Sequence, residues 1–230
     1  MAGPLDLEEQ EQLAALKSFW NQYGNLITWV LILALGAYAA WNGWNWWQRE
    51  QAAKAAAMFD ELDRAAQAGE IDKAARAFAD LKERYPRTAY AQQAGLLAAK
   101  VQAEKGQADD ARASLAWVAD NAVEDEYRSV ARLRLAALQL EARRFDDALK
   151  TLDAATAPAF AALVADRRGD VLLAMGRKDE ARAAYEKAWA GLPATVDYRR
   201  LVEAKLTALA APPASAQGVA PAASAAAGAK

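Results

Sequence analysis

Residues 166–193 read DRRGDVLLAMGRKDEARAAYEKAWAGLP, and they carry the clearest copy of a pattern that recurs along the chain. Gly176 suits the end of one helix, and the acidic residues after it suit the first turn of the next, where the helix dipole favours negative charge. Ala181 allows two helices to approach closely, and Tyr185, one turn later, fills the space beside it. Pro193 ends the second helix. The stretch therefore predicts a helical hairpin.

The same pattern occurs three more times along the chain. Four short acidic segments each end in an alanine, and these alanines are Ala74, Ala111, Ala148 and Ala181. A large side chain follows each alanine by four residues: Phe78, Leu115, Leu152 and Tyr185. One helix carries apolar residues on more than one face: Val130, Leu133, Leu135, Leu138 and Leu140. A repeat of this kind predicts stacked hairpins that are covered on both sides by their neighbours.

This pattern resembles the tetratricopeptide repeat. The third segment departs from it at Arg143, which stands in place of the turn glycine, and Val123 and Phe160 stand where proline is usual. The resemblance implies an all-α fold, with an α-solenoid of about four helical hairpins over residues 48–210. The best match lies at Gly169, Leu172, Gly176, Ala181, Tyr185, Ala188 and Pro193.

In tetratricopeptide arrays the first helix of each hairpin lines a concave groove, so the resemblance also implies a binding surface. The groove positions, carried over one repeat at a time, are Phe59 and Asp63; Gln93, Lys100 and Glu104; Leu133 and Ala137; and Asp166 and Asp170. The set is mixed and mildly acidic, without a basic clamp for a carboxylate. The alternative is that each of these residues belongs only to a solvated helix face.

Residues 26–44 are uncharged and mostly apolar, and they predict a helix that spans a lipid bilayer. At 1.5 Å per residue this run is about 28 Å long, close to the hydrocarbon thickness. Aromatic rings at both ends suit the membrane–water interface: Trp20, Tyr23, Trp41, Trp44, Trp46 and Trp47. We predict a single N-terminal transmembrane helix at residues 25–47, an uncleaved signal anchor.

Two other interpretations of this run remain open. A buried core helix is also uncharged, and Ala37-Tyr38-Ala39 resembles the cleavage site of a secretory signal. Signal peptides, however, begin with a short basic leader, whereas the leader here, residues 1–24, is acidic and contains Lys17 as its one basic residue. Leu5, Leu13 and Leu16 in this leader are spaced to share a helix face, which fits a solvated segment or a docking peptide.

The charges that flank the span do not decide its orientation in the membrane. Lys17 precedes it, and Arg49, Lys54 and Arg64 follow it, so the positive-inside rule weakly favours a C-terminal part that faces the cytoplasm. Small residues four apart within the span are candidate contacts for another membrane helix. They are Gly36 and Ala40, or Ala39 and Gly43.

Composition excludes several classes of function. The 28 basic and 30 acidic residues are interspersed, so no basic field is expected to attract nucleic acid. Cysteine and histidine are absent, which removes thiolate metal sites, the commonest metal ligand and the usual general base. Ser114 and Ser129 therefore have no histidine to activate them, and we predict no catalytic, metal or cofactor site. Residues 211–230, rich in alanine and proline, are predicted to be disordered.

The order of these parts resembles the family of ancillary subunits of the bacterial SecYEG translocon (YfgM-type). The resemblance covers about residues 5–210 and includes the leader LEEQEQL at residues 7–13, which runs into Phe19-Trp20 and Tyr23-Gly24. It implies a single-pass inner-membrane protein with a cytoplasmic N-terminus and a periplasmic repeat domain. It also implies association with the SecYEG translocon and with a membrane-anchored chaperone of the peptidyl-prolyl isomerase type.

The first functional hypothesis is a non-enzymatic adaptor that links emerging secreted proteins to periplasmic chaperones. One alternative is a tetratricopeptide scaffold for another envelope assembly, such as cytochrome maturation or outer-membrane protein insertion. A second alternative is a cytoplasm-facing regulator that sequesters a signalling protein, which the flanking charges would favour.

Overall fold

The structure, a computed structural model, describes residues 7–209, with side chains from residue 11 onward. Every regular element in that range is helical, which confirms the all-α prediction. The helices are α1 Leu7–Gln67, α2 Ile71–Arg84, α3 Ala89–Glu104, α4 Ala108–Asn121, α5 Asp125–Glu141, α6 Phe145–Asp153, α7 Ala161–Ala174, α8 Lys178–Gly191 and α9 Tyr198–Ala208, with one 3-10 turn at Pro158–Phe160. The first residues of the leader and the predicted disordered tail, residues 211–230, lie outside the described residues.

The chain divides into two compact units, Met1–Ala53 and Lys54–Lys230. In the first unit the apolar side chains of α1 are exposed, as expected of a helix that meets lipid rather than a protein core. Among the described helices, α1 is the one that is long and apolar enough to cross a membrane. This exposure argues against the buried-core interpretation.

Two polar side chains of the predicted span bond to their own helix. Thr28 Oγ1 donates to the carbonyl oxygen of Gly24 at 2.7 Å, and Asn42 Nδ2 donates to that of Tyr38 at 2.9 Å. A polar group that is satisfied inside the helix costs less in an apolar medium than one that is not. The span therefore tolerates these two residues.

The four hairpin turns of the second unit share one backbone motif. At the first turn, the N–H of Gly69 donates to the carbonyl of Ala66 at 3.1 Å, and the N–H of Glu70 donates to that of Ala65 at 2.9 Å. Both bonds recur at the other three turns. The motif needs a residue in the left-handed region, and Arg143 adopts it with φ 58° although it carries a side chain. The departure at Arg143 therefore changes the residue and keeps the turn.

The recurring alanines lie where the helices of each hairpin meet. All four are at most 1% exposed, and the large residues that follow them are buried as well. Helices approach closely at Gly169, where an added Cβ would lie 2.4 Å from Cε1 of Tyr185, and equally closely at Gly95, where it would lie 2.4 Å from Cγ2 of Val118. The alanine and the residue four positions later thus form the packing unit of each hairpin, as the sequence predicts.

Neighbouring hairpins share their apolar cores. Helix α5 contributes to two of them: Leu135 packs in a cluster with residues of α3 and α4, whereas Ala136 packs in a cluster with residues of α6 and α7. Val202 and Leu206 of α9 are fully buried against the fourth hairpin. The second unit is therefore a stack in which α9 covers the last repeat.

Arginine side chains donate hydrogen bonds to carbonyl groups at helix C-termini in the middle of the stack. Arg128 Nε donates to the carbonyl of Ala122 at 2.7 Å, at the end of α4. Arg132 donates to the carbonyl of Ala119 at 3.0 Å and to that of Ala154 at 2.5 Å. Cationic donors are favourable at helix C-termini, where carbonyl groups lack partners within the helix. These ends belong to the two hairpins in which the repeat lacks its usual proline.

Candidate binding surface

The predicted groove residues all lie on α1, α3, α5 and α7, which are the first helices of the four hairpins. Contacts join two of them to neighbouring first helices. The rings of Phe59 and Tyr90 are 5.9 Å apart, and Gln93 Nε2 donates to the hydroxyl of Tyr127 at 2.8 Å. Sequence reasoning missed Tyr90 and Tyr127, although the sequence offers a signal: each lies 16 residues after the recurring alanine of its repeat, Ala74 or Ala111.

Three of the predicted polar residues pair locally on the helix surface. Lys100 and Glu104 approach to 3.8 Å and are both more than half exposed, so the pair contributes little to stability. Asp63 accepts a hydrogen bond from Gln67 at 2.7 Å. Exposed pairs of this kind exchange easily with solvent, so Asp63, Lys100 and Glu104 remain candidate contacts rather than parts of a formed site.

Leu133 lies at a half-open cleft of about 590 Å³ in the second unit. The walls are mainly apolar, and the lining includes two residues with polar side-chain groups, Arg167 and Tyr198. Ala137, one helical turn beyond Leu133, is half-buried. The lining residues are Leu133, Ala159, Ala162, Leu163, Arg167, Gly191, Leu192, Pro193, Val196 and Tyr198.

We call this site the apolar cleft. Its walls come from α5, α7, the end of α8, α9, the 3-10 turn and the segment between α8 and α9, so residues far apart in sequence meet there. Leu163 and Arg167 are four residues apart on α7 and share a face, a signal that the sequence does offer. Val196 and Tyr198 lie beyond the last repeat, and no pattern in the sequence identifies them.

Asp166 and Asp170 are placed differently from the groove prediction. Asp166 is 1% exposed and accepts hydrogen bonds from the hydroxyl of Tyr198 at 2.7 Å and from Lys205 Nζ at 2.8 and 2.9 Å. Asp170 accepts from Lys205 Nζ at 2.7 Å and from the hydroxyl of Tyr185 at 2.8 Å. The two carboxylates hold α9 against α7 and α8. The structure thus corrects the groove prediction for Asp166, which is buried and not presented to a ligand, whereas Asp170 is partly exposed and stays a predicted contact.

Both tyrosines of this cluster remain hydrogen-bond donors. Burial and then the hydrogen bond to Asp170 raise the pKa of Tyr185 well above its ordinary value. Burial and the hydrogen bond to Asp166 do the same to the pKa of Tyr198. Tyr198 therefore stays neutral while it joins the carboxylate cluster to the apolar cleft.

The two serines considered above take part in buried hydrogen bonds. Ser114 Oγ donates to Gln102 Oε1 at 2.8 Å, which joins α3 to α4. Ser129 Oγ accepts from the N–H of Ala157 at 3.2 Å. In the described part of the chain, no three acidic residues are grouped so that they could hold a metal ion.

The candidate membrane contacts lie on an open surface of the first unit. A Cβ added at Gly36 or Gly43 would meet no atom within 4 Å, and Ala40 is exposed. All three positions are therefore accessible to another helix.

Comparison with known proteins agrees with the repeats and the anchor. Residues 17–211 match the family described as "Tetratricopeptide repeat-like domain". A protein of Neisseria gonorrhoeae named "Ancillary SecYEG translocon subunit" is 30% identical over 204 residues, which cover 88% of this chain and 98% of that protein. Proteins of the same name from Escherichia coli K12 and Haemophilus influenzae are each 32% identical. They cover 77% and 79% of this chain, and 85% and 89% of their own lengths. The chain therefore belongs to the family of ancillary SecYEG translocon subunits, and its repeats are of the tetratricopeptide-like type.

Proposed function

We propose that the protein is a non-enzymatic, membrane-anchored adaptor of the SecYEG translocon that links emerging secreted proteins to periplasmic chaperones. The names of its relatives support the translocon as the partner. The binding role rests on one observation, the apolar cleft at the first helices of the third and fourth hairpins. Such clefts bind apolar side chains and use a few polar groups to orient them.

The proposal places residues 1–24 in the cytoplasm, residues 25–47 in the inner membrane and residues 48–210 in the periplasm. Anchoring confines the repeats to the membrane surface, where translocated chains emerge, and so raises the effective concentration of the binding surface. Weak contacts at the cleft are then sufficient. A membrane-anchored chaperone of the peptidyl-prolyl isomerase type is the partner that we assign to the repeats.

The chemistry of the cleft suits an apolar peptide side chain. Burial of each methylene group against its walls is worth about 0.8 kcal/mol. Arg167 lies at the cleft and can donate to backbone carbonyl groups of a bound segment. The hydroxyl of Tyr198 donates its proton to Asp166, so it can only accept a hydrogen bond, from a backbone N–H. Arg167 also pairs with Asp170 at 3.3 Å, so its guanidinium is held in place.

A matched pair of substitutions on α7 tests the proposal. Leu163→Glu puts a charge into the cleft, whereas Leu173→Glu puts the same charge at an exposed position of the same helix outside it. The full-length chain and both variants would be purified by affinity from membranes in mild detergent, and the associated proteins identified by mass spectrometry. Circular dichroism melting would verify that both variants are folded.

The proposal predicts that the unmodified chain retains the translocon and the chaperone. Leu163→Glu is expected to lose the chaperone and keep the translocon, whereas Leu173→Glu keeps both. Retention of a different envelope assembly, without the translocon, would contradict the proposal and favour the scaffold alternative. Equal retention of the chaperone by both variants would show that the cleft does not bind the chaperone.

A further inference from the structure

The described part of the leader carries an apolar stripe on one side of α1. Its members follow one another at spacings of three and four residues, which places them on one helix face. They are Leu13, Leu16, Trp20 and Tyr23, each between 43% and 64% exposed. Polar residues share another surface of the same stretch: Lys17, Ser18, Asn21 and Gln22, together with Ala14.

Trp20 and Tyr23 lie at or near the headgroup region, but lipid does not cover the other end of this stripe, Leu13 and Leu16. With residues 26–44 in the hydrocarbon layer, Leu16 lies about 15 Å and Leu13 about 20 Å beyond its edge. The headgroup region adds only about 5–8 Å on each side. Helix α1 passes through this region as one continuous element, so the stripe does not turn aside to lie along the surface. Lys17 is the one cation among residues 11–25, whereas helices that lie on bilayers carry several.

The same spacing continues from the leader into the membrane span. After Tyr23, the three-and-four pattern proceeds through Ile27, Val30, Ala34, Ala37, Trp41 and Trp44. A sustained seven-residue repeat of apolar side chains is the pattern by which two helices pack side by side. We call the ten positions from Leu13 to Trp44 the seam. One partner helix can follow this seam through the membrane and beyond it.

A second copy of the chain fits the seam poorly. Copies in one membrane have the same orientation, so each seam residue of a dimer would meet its own counterpart. Facing pairs of Trp20 and of Trp41 would hold the helices apart, and the layers of Ala34 and Ala37 between them would leave a gap. A different helix, with small residues opposite the tryptophans and large ones opposite the alanines, fills the seam.

We propose that the seam is the docking face for a transmembrane helix of another membrane protein, and that this helix extends beyond the bilayer on the leader side. The proposal depends on the proposed function only for the identity of the partner, which it assigns to the translocon complex. Substitutions at Leu13 and Leu16 then weaken the association without shortening the membrane span.

Photo-crosslinking tests this assignment in the full-length chain in living cells. A photoreactive phenylalanine analogue is placed at Leu16 or Trp20 in the seam, and at Ser18 or Gln22 on the polar side as the matched control. After irradiation, the adducts are purified under denaturing conditions and identified by mass spectrometry. We expect adducts with a translocon-associated membrane protein from the seam positions and background signal from the controls. Leu16→Gln with Trp20→Gln is expected to weaken retention of the translocon about tenfold, while Ser18→Gln with Asn21→Gln leaves it unchanged.

The outcomes separate the two proposals. Adducts between two copies of the chain, adducts with lipid alone, or equal adducts from both sides would overturn the docking inference. If the translocon is retained equally by the seam and control variants, the docking inference fails and the proposed function stands. If seam adducts form with a membrane protein unrelated to the translocon, the docking inference stands and the proposed function fails.

Discussion

The third and fourth hairpins reach the same packing from different sequences. In the fourth, Gly169 on α7 faces the ring of Tyr185 on α8. In the third, the corresponding residues are Ala136 and Leu152, and both are buried. Alanine has one methyl group more than glycine, and the leucine that accompanies it is smaller than tyrosine. The comparison indicates that, in these two hairpins, a smaller residue on the first helix accompanies a larger one on the second, so that the pair fills the space between the helices.

The two hairpins also differ in the residues that end their helices. The fourth has Gly176 at its turn and Pro193 after α8, whereas the third has Arg143 at its turn and a second helix of only nine residues. Arg132 bonds to the carbonyl of Ala154 just beyond that short helix. In the third hairpin, a side chain from α5 thus stabilises the helix end. In the fourth hairpin, glycine and proline end the helices through their backbone conformations.

The largest expected effect is at the cluster that fixes α9 on the fourth hairpin. Lys205→Met leaves Asp166 buried without its cation, and we expect a loss of about 3–5 kcal/mol in the free energy of unfolding. Urea denaturation of the full-length chain in detergent, followed by circular dichroism, measures it. Lys187→Met, at an exposed position of α8, is the control and should change stability by less than about 0.5 kcal/mol. Equal effects of the two substitutions would show that the cluster does not stabilise the fold.

The volume argument predicts the next largest effect. Gly169→Ala places a Cβ 2.4 Å from the ring of Tyr185, and we expect a loss of about 2–3 kcal/mol even though alanine favours the helix more than glycine does. Adding Tyr185→Leu recreates the pair found in the third hairpin and should recover part of that loss. The double-mutant cycle measures the coupling free energy. Strict additivity of the two substitutions would show that the hairpins do not compensate in volume.

The third hairpin is expected to depend on Arg132. Arg132→Met removes hydrogen bonds to the carbonyls of Ala119 and Ala154, and we expect a loss of about 2 kcal/mol. Arg134→Met on the same helix is the control, because its contact with the carbonyl of Leu96 is long, at 3.5 Å. The same denaturation experiment measures both. A control that destabilises as much as Arg132→Met would point to a general loss of charge rather than to helix ends.

The smallest predicted effect is stabilising. Arg143→Gly relieves the left-handed conformation of the third turn and should add about 0.5–1 kcal/mol to the free energy of unfolding. The reverse substitution at the fourth turn, Gly176→Arg, should remove a similar amount. Thermal melting of both variants measures the change. A loss of stability in Arg143→Gly would show that the arginine side chain contributes more than its backbone strain costs.

The repeat pattern predicted the turns and the buried alanines because those features are local. A glycine or alanine at a fixed offset makes its contact within one hairpin, and the sequence displays that offset directly. The role of Lys205 was not predictable in this way: it lies beyond the last repeat and meets Asp166, 39 positions earlier in the chain. The same holds for Val196 and Tyr198, which reach the apolar cleft only through the packing of α9 on the fourth hairpin.

The adaptor function requires that the membrane anchor hold the repeats on the periplasmic side of the inner membrane. Protease treatment of spheroplasts that contain the full-length chain tests this orientation. If the repeats are periplasmic, the protease digests them from outside and leaves a fragment that contains residues 25–47 in the membrane. Protection of the repeats until the inner membrane is broken would place them in the cytoplasm and contradict the adaptor function.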